Sequence, residues 1–480
     1  MRDLRLLYGH GMVCRLLLWA TLFLCIPVSS LWHNYNQDVI DKGESAACRA
    51  KYPDAKSLPA LLEMDRRSGW KLWPNLVSKF DMETGETLYG MKQAMEVIWK
   101  NQHPEDCSKA QFLIAQGWPQ GFGSEVHVLG VGLAVALNTK RVFIMNPDGA
   151  PEHDFLNNTW QVQNPFCRSK DSKSALDCYF ESWTHCKPED ALGPDKKRAA
   201  DFKVHHKTYF SDTDFQNKFN ETQNVIKDAK TVLFESRGDA PLAFPDVLKP
   251  IINCSPVISS RYWWRAVAAA YMLRPRPETV ALLDKHRPQV KFRSSGEDEQ
   301  CISIYIRRGD KHVEMKPVHT KYYLETAKAL WDSGMVPGPG GSQTTSKGSI
   351  FIGSEDADAI DQAKAWGSGS GFKILFSSLF DRRADVSTGL DWIKQVKMKR
   401  KNKFKHHELE YFSMLHNLDL HLRCAAFVCT LPSNFCRVID ELRSVYGKIT
   451  RPFAELGIPG CPPNNDGHMC EGSPRFVNYF

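Results

Sequence analysis

The sequence lacks the short motifs that usually mark metal, nucleoside-triphosphate and redox chemistry. It has no H-E-x-x-H zinc motif, no Walker phosphate loop and no Cys-x-x-Cys pair, and no Asp-x-Asp pair stands out as a metal site. The excess of positive over negative charge is also small, because 62 Lys and Arg oppose 55 Asp and Glu, which gives a net charge of +7 over 480 residues. This excess is compatible with anionic ligands but is too small to indicate nucleic-acid binding. We therefore expect no bound metal ion, no cofactor and no nucleic-acid partner, and interpret the basic stretch at 394–407 as a solvated loop.

A long membrane-spanning run is also missing. Leu16–Val28 is an apolar run of thirteen residues that follows three arginines, and Val28-Ser29-Ser30 would pass as a signal-peptidase site. Counted on to Trp32, the uncharged span reaches seventeen residues, which is the lower limit for a membrane helix. Residues 1–32 are therefore expected to be either a cleaved signal peptide or a signal anchor. In the second case the protein would be a type II membrane protein of the Golgi membrane; in the first it would lie free in the secretory-pathway lumen.

Cysteine usage favours the same compartment. Two of the 14 cysteines lie in or beside the apolar segment, and the other twelve are an even number, so disulfide bonds are expected although their pairing cannot be deduced. Sequons at Asn157 and Asn220 fit a lumenal glycoprotein, whereas the one at Asn253 is weakened by its proline.

Strand and helix patterns alternate along most of the chain. Residues 121–145 read as a glycine loop, an apolar helix and a strand, and from Cys301 to Tyr446 strands and helices again take turns. This order predicts the α/β class with parallel, doubly wound sheets. The expected divisions are a stem with a leading helix (33–100), a first α/β unit (101–297), a second α/β unit (298–450) and a tail (451–480).

Ligands of such sheets bind where the carboxyl ends of strands lead into helices, which singles out four loops. The most charged is Arg307–Glu314, directly after the alternating strand 301–306. A guanidinium at a strand end can hold a phosphate in two places. The alternative is a surface loop in which Arg308 pairs with Asp310 and Lys311 pairs with Glu314.

The other three loops combine small, acidic or hydroxyl residues with a helix start. Gly121-Phe122-Gly123 offers backbone N–H groups to an anion, or is an ordinary tight turn. Glu355 and Asp356 could accept hydrogen bonds from a base or a ribose, with Ser354 more simply a helix cap. Ser433 and Asn434 open the last helix and suit a diphosphate, or serve only as its N-terminal cap.

Four segments, taken in order, resemble the α1,6-fucosyltransferase family, which acts on the core of N-glycans. They are "NQHPEDCSKA" (101–110), "GFGSEVHVLGVG" (121–132), "RYWWRAVAAAYMLRPRP" with "YIRRGDKHVE" (261–277 and 305–314), and "AAFVCTLPSNFCRVIDELR" (425–443). The resemblance implies a two-lobed, GT-B-like glycosyltransferase with a Rossmann-like donor lobe at 298–450 and an acceptor lobe at 101–297. It also implies GDP-fucose as donor, a glycan or glycoprotein acceptor, inversion at the transferred sugar and no metal.

The resemblance also assigns roles residue by residue. Arg307 matches the arginine that holds the β-phosphate as the glycosidic bond breaks, and Glu314, after a one-residue deletion, matches the general base. The remaining matched positions are expected to bind the donor or support its loop: Arg308, Asp310, Lys311, His127, Tyr323, Glu355, Asp356, Ser433 and Asn434.

Several positions depart from the family pattern. Tyr305 replaces its histidine, Gly309 its threonine, and Asn417 the aspartate expected near the donor, with Asp419 two residues further on. Two alternatives therefore stay open beside transfer to an N-glycan core or a related oligosaccharide. One is a fucosyltransferase acting on a protein hydroxyl or a polysaccharide, and the other is a non-catalytic lumenal binder of GDP-sugar or glycan.

Overall fold

The structure is a computed structural model that describes the protein in separate ranges. These are 5–8, 12–15, 24–27, 90–115, 121–145, 165–170, 174–192, 202–206, 229–236, 244–253, 260–290, 301–308, 317–332, 336, 348–379, 410–430, 433–445 and 453–456.

Two parallel sheets organise these ranges, which confirms the predicted α/β class. The strands are β1 (Arg5–Tyr8), β2 (Met12–Arg15), β3 (Leu24–Pro27), β4 (Phe112–Ala115), β5 (Val142–Met145), β6 (Phe202–His206), β7 (Thr231–Ser236), β8 (Cys301–Tyr305), β9 (Ser349–Gly353), β10 (Lys373–Leu375), β11 (Ala426–Cys429) and β12 (Phe453–Glu455). The first parallel sheet has the order β5-β4-β7-β6 and the second the order β10-β9-β8-β11-β12.

The α-helices lie mostly between these strands in the chain. They are α1 (Met91–Gln102), α2 (Phe122–Asn138), α3 (Pro165–Arg168), α4 (Ala175–Tyr179), α5 (Pro188–Leu192), α6 (Lys249–Asn253), α7 (Ser260–Met272), α8 (Pro277–His286), α9 (Thr320–Asp332), α10 (Ala357–Ser370), α11 (Glu410–Arg423) and α12 (Asn434–Val445). Pro277 starts α8 because proline is tolerated in a first helical turn.

The second sheet has its topological switch point between β8 and β11. β8, β9 and β10 run outward to one edge and β11 and β12 to the other, so the two outgoing connections diverge at the carboxyl ends of β8 and β11. Open parallel sheets bind ligands in the crevice formed there. The topology therefore directs attention to the residues that follow these two strands.

One hydrophobic core joins the two sheets. It contains Leu113 of β4 and Phe427 of β11, with α2, α7 and α12 between them. The odd and even positions of β11 face opposite sides, since Val428 belongs to a second cluster on the far side of its sheet. The two sheets thus share one helical layer made of α2, α7 and α12.

Four disulfides are formed among the described cysteines: Cys107–Cys186, Cys167–Cys178, Cys301–Cys424 and Cys429–Cys436. This confirms the expectation of disulfide bonds and is typical of a chain that folds in an oxidising compartment such as the secretory-pathway lumen.

The amino-terminal strands form a sheet of their own. β1, β2 and β3 pair antiparallel in that order, and β3 includes Leu24–Pro27 from the apolar run. No helix within the described ranges is both long enough and apolar enough to cross a membrane. The sequons at Asn157 and Asn220 and most of the predicted stem lie outside the described residues.

Candidate active site

Arg307 and Arg308 follow β8 at the switch point, and an acidic pair follows the neighbouring strand. The parallel ladder pairs Tyr305 with Gly353, the last residues of β8 and β9, so the positions two further along each chain come together. Glu355 Oε1 accepts a hydrogen bond from Arg307 Nη1 and another, 2.7 Å long, from the backbone N–H of Arg308. Residues 301–304 of β8 are buried on both faces of the sheet, and the two arginines follow after the strand has ended.

Arg308 is held by a second set of contacts. Its Nη2 donates to Thr320 Oγ1 at 3.2 Å, and its Nε lies 3.8 Å from Asp356 Oδ2. Asp356 also caps α10, because its Oδ1 accepts from the N–H of Asp358 at 2.9 Å. Burial raises the pKa of Asp356.

The cap of α10 therefore corrects one expectation. Ser354 does not provide the side-chain cap: its hydroxyl donates to Ile306 O at 2.9 Å and accepts from the N–H of Asp356 at 3.1 Å. Ser354 instead ties the loop after β9 to the end of β8, while Asp356 takes the capping role.

The glycine loop meets the start of α12. A Cβ on Gly123 would lie 2.5 Å from the backbone C of Asn434 and from the backbone N of Phe435. Among the described residues, no heavy atom beyond the chain neighbours of Gly121 lies within 4 Å of a Cβ built on it. A close approach of two helix starts thus explains the glycine at 123, whereas packing does not require the one at 121.

A polar network fastens the same two helix starts. His127 Nδ1 lies 3.1 Å from Asn434 Oδ1, and Asn434 Nδ2 donates to Ser124 Oγ at 2.6 Å. His127 Nε2 lies 3.0 Å from Glu441 Oε2. Glu441 was missed by the sequence reasoning, although its spacing of seven residues from Asn434 places both on one face of a helix.

Aromatic rings connect this helix pair to β8. The ring centroid of Phe435 lies 4.9 Å from that of Tyr305 and 6.0 Å from that of Phe122. Behind Tyr305 lies His421, whose buried ring would overlap a methyl group placed on Gly353. Tyr305 is thus a packing link between β8, α11 and α12.

The turn after β11 is supported from α9. Tyr323 donates its hydroxyl to Thr430 Oγ1 at 3.4 Å, and burial raises the pKa of Tyr323 to about 12. Ser433 lies just before α12, where its Oγ accepts weakly from the N–H of Cys436 at 3.5 Å. Cys429 and Cys436 bracket this turn with their disulfide.

Two predicted site residues, Asn417 and Asp419, lie in α11 and have different partners there. Asn417 Nδ2 donates to Ser413 O at 2.7 Å within the helix, and the buried Asn417 Oδ1 has no partner among the described residues. Asp419 is ion-paired with Arg287 and Arg423. Burial alone would raise the pKa of Asp419, but these two guanidinium groups hold it below its usual value.

The predicted loop residues Gly309, Asp310, Lys311 and Glu314 lie outside the described residues. Their proposed roles, the general base included, stay predictions. In the part of the chain that the structure describes, one group of close potential metal ligands is found: Cys107, His185 and Cys186. The two cysteines of that group are joined in a disulfide, which leaves no thiolate there to bind a metal ion.

Solved structures similar to this chain include several fucosyltransferases. A mutant of Arabidopsis thaliana FUT1 in complex with GDP has a TM-score of 0.40 and 13% identity, with 78% of each chain covered. Fucosyltransferase NodZ from Bradyrhizobium has a TM-score of 0.36 and 15% identity, covering 72% of this chain and 96% of that one. POFUT1 in complex with GDP-fucose has a TM-score of 0.37 and 12% identity, covering 74% and 99%. No protein-family model and no curated protein sequence matches the chain. Similarity of this degree transfers no substrate and no residue role.

Proposed function

We propose that the protein is a GDP-fucose-dependent fucosyltransferase whose donor diphosphate meets Arg307. The observation that carries the proposal is that the Arg307 guanidinium and the Arg308 backbone N–H donate to the same oxygen, Glu355 Oε1. These two donors lie at the carboxyl end of β8, beside the switch point. This is where an open parallel sheet binds a nucleotide. The four sequence segments that resemble α1,6-fucosyltransferases supply the identity of the nucleotide sugar.

In the proposed reaction an acceptor hydroxyl oxygen attacks C1 of fucose as the bond from C1 to the β-phosphate oxygen breaks. The electron pair of that bond stays with GDP, and Arg307 stabilises the negative charge that grows on the phosphate. Glu314 takes the proton of the acceptor hydroxyl. Attack from the face opposite GDP inverts the configuration at C1, and no step calls for a metal ion.

The remaining donor contacts are proposed along the same crevice. The segment that contains α12 presents Ser433 and its helix amino terminus to the diphosphate, while Arg308, Asp310 and Lys311 shape the loop. The donor lobe comprises residues 298–450, and the lobe at 101–297 takes the acceptor, for which we propose an N-glycan core or a related oligosaccharide. Since the described disulfides indicate an oxidising compartment, such acceptors would be met in the secretory pathway, with the Golgi membrane the proposed location.

The proposal is tested with the full chain, by thermal unfolding with and without GDP-fucose. We expect GDP-fucose to raise the melting temperature of the wild type and to leave that of Arg307→Ala unchanged. Arg276→Ala is the matched control, because it removes an arginine that pairs with Asp177 in the first α/β unit. A wild type that shows no shift would refute the proposal.

Transfer is then measured by mass spectrometry with a panel of glycans, peptides and polysaccharides. We expect a gain of one fucose on N-glycan cores and loss of this product in Glu314→Gln. Transfer that survives in Glu314→Gln would show that the base lies elsewhere, and transfer only to peptides would replace the proposed acceptor.

A non-catalytic binder of GDP-sugar is the second candidate, and Asn417 is the observation that favours it. Asn417 carries an amide where the resemblance implies an aspartate, and its Nδ2 already donates to Ser413 O within α11. A ligand-induced shift without hydrolysis or transfer of fucose would select this candidate.

A further inference from the structure

The two arginines after β8 are each matched by one carboxylate after β9. Glu355 contacts the Arg307 guanidinium and the Arg308 N–H, while Asp356 faces Arg308 Nε. The two carboxylates differ in how they are engaged. Asp356 is buried and caps α10, whereas 23% of the Glu355 side chain is exposed, as is 25% of the Arg307 side chain. A ligand can therefore reach the Arg307–Glu355 pair, and Glu355 can withdraw from it.

A single oxygen of Glu355 takes both a guanidinium N–H and a backbone N–H. This pair of donors, one charged and one fixed by the main chain, is also what one oxygen of a phosphate accepts at a binding site. We infer that Glu355 is an internal counter-ion that takes the place of a phosphate oxygen on Arg307 and competes with the diphosphate of the donor. The inference rests on the proposed function, because it concerns the same arginine.

Such a counter-ion has two consequences for a transferase. While the site is empty, the carboxylate holds the long Arg307 side chain in place, so less rotamer freedom is lost when the donor binds. When the diphosphate is bound, the nearby negative charge weakens its attraction to Arg307 and favours the departure of GDP. Glu355 is thus a positioning residue that acts through Arg307. This differs from the contact with a ribose or base that the sequence predicts for it.

The test uses Glu355→Gln in the full chain, with inorganic pyrophosphate, GDP and guanosine as calorimetric probes. Glutamine keeps the accepting oxygen and removes the charge. We therefore expect pyrophosphate and GDP to bind about three- to tenfold more tightly than to the wild type, with guanosine binding unchanged. In the transfer assay both the KM for GDP-fucose and kcat should fall, because product release slows. A purely structural ion pair would not tighten binding.

Two further variants keep the test decisive. Asp361→Asn removes one exposed negative charge from α10, with Lys364 as its partner, and should leave all three affinities unchanged. Glu355→Asp keeps the charge on a side chain one methylene shorter, and should tighten pyrophosphate binding by less than Glu355→Gln. If Glu355→Gln fails to fold, Glu355→Asp is compared with the wild type instead: tighter pyrophosphate binding supports the inference, and equal or weaker binding contradicts it.

The inference fails if pyrophosphate binds Glu355→Gln no more tightly than the wild type. Weaker binding of guanosine by Glu355→Gln would contradict the inference and indicate that Glu355 contacts the ribose or the base. A wild type that binds neither pyrophosphate nor GDP would overturn the inference together with the proposed function. Tighter pyrophosphate binding by Glu355→Gln without any fucose transfer would support the inference while the proposed function fails.

Discussion

His127 Nε2 lies 3.0 Å from Oε2 of Glu441, and both side chains are buried between α2 and α12. The same imidazole contacts Asn434 through Nδ1, so one side chain links two positions of α12. In the chain, α2 lies between β4 and β5 of the first parallel sheet and α12 between β11 and β12 of the second, so this contact joins helices that connect strands of different sheets.

Removal of His127 should therefore cost much of the stability of this junction. His127→Phe leaves Glu441 buried without its partner, and we expect a loss of about 3 kcal/mol in the free energy of unfolding. Chemical denaturation measures it. Lys100→Gln, which breaks an exposed pair with Glu96, should change the free energy by less than about 1 kcal/mol. Equal effects of the two changes would contradict a structural role for the buried pair.

Gly121 and Gly123, at the start of α2, should differ in their response to substitution by alanine. Gly123→Ala places a methyl group against the peptide between Asn434 and Phe435, so backbone must move. We expect a loss of about 1–3 kcal/mol in stability. The methyl group of Gly121→Ala meets no atom of the described part of the chain within 4 Å, and φ at this position is −77°, so the stability of the variant should stay within about 0.5 kcal/mol of the wild type.

Thermal unfolding of the two alanine variants compares them under one condition. A loss in Gly121→Ala as large as that in Gly123→Ala would mean that both glycines serve the backbone of the loop. The observed packing between α2 and α12 would then not explain the sequence.

The second sheet was predictable because each of its first four strands shows its own local pattern. Apolar alternation or short apolar runs mark β8, β9, β10 and β11, and the helices between them have clear ends. Strand β6 (Phe202–His206) was missed, since "FKVHH" has little apolar character and gains its place by pairing with β7. Non-local pairing of this kind leaves no periodicity in the strand itself.

The candidate site was predictable as a set of loops but not as a set of contacts. Parallel strands bring their carboxyl ends to one edge, which was enough to single out Arg307 and Glu355. That these two side chains bind each other follows from the register of β8 with β9, which the sequence does not state. The same holds for the pair of Asp419 with Arg287, which depends on how α11 packs against the end of α8, whereas its pair with Arg423 has the i,i+4 spacing of a single helix.

Buried histidines should make the protein acid-sensitive. Burial lowers the pKa of His421 to about 3 and that of His416 to about 4, whereas an exposed histidine in the unfolded chain titrates near 6.5. Between these values the unfolded state binds protons that the folded state does not. The free energy of unfolding should therefore be insensitive to these groups above about pH 6.5, and should fall by about 1.4 kcal/mol per pH unit for each histidine as the pH drops below it.

Denaturation at several pH values between 7.5 and 4.5 measures this slope. In His421→Leu the slope below pH 6.5 should be shallower by about 1.4 kcal/mol per pH unit, even if the variant is less stable at every pH. If the slope of His421→Leu equals that of the wild type, His421 binds protons as readily in the folded protein as in the unfolded chain.

The two disulfides of the second sheet should differ in what they contribute. Cys301–Cys424 joins residues 123 apart in sequence and Cys429–Cys436 joins residues 7 apart. A cross-link restricts the unfolded chain more as the loop it closes grows, which gives about 5 kcal/mol for the first bond and about 2.5 kcal/mol for the second. We expect the double alanine variant at Cys301 and Cys424 to lose about twice as much unfolding free energy as the one at Cys429 and Cys436.

The loop closed by Cys429–Cys436 contains Thr430, Ser433 and Asn434, so loss of this disulfide should weaken GDP binding. A variant at Cys429 and Cys436 with unchanged GDP affinity would show that the helix start of α12 is held in place by its contacts with α2 alone.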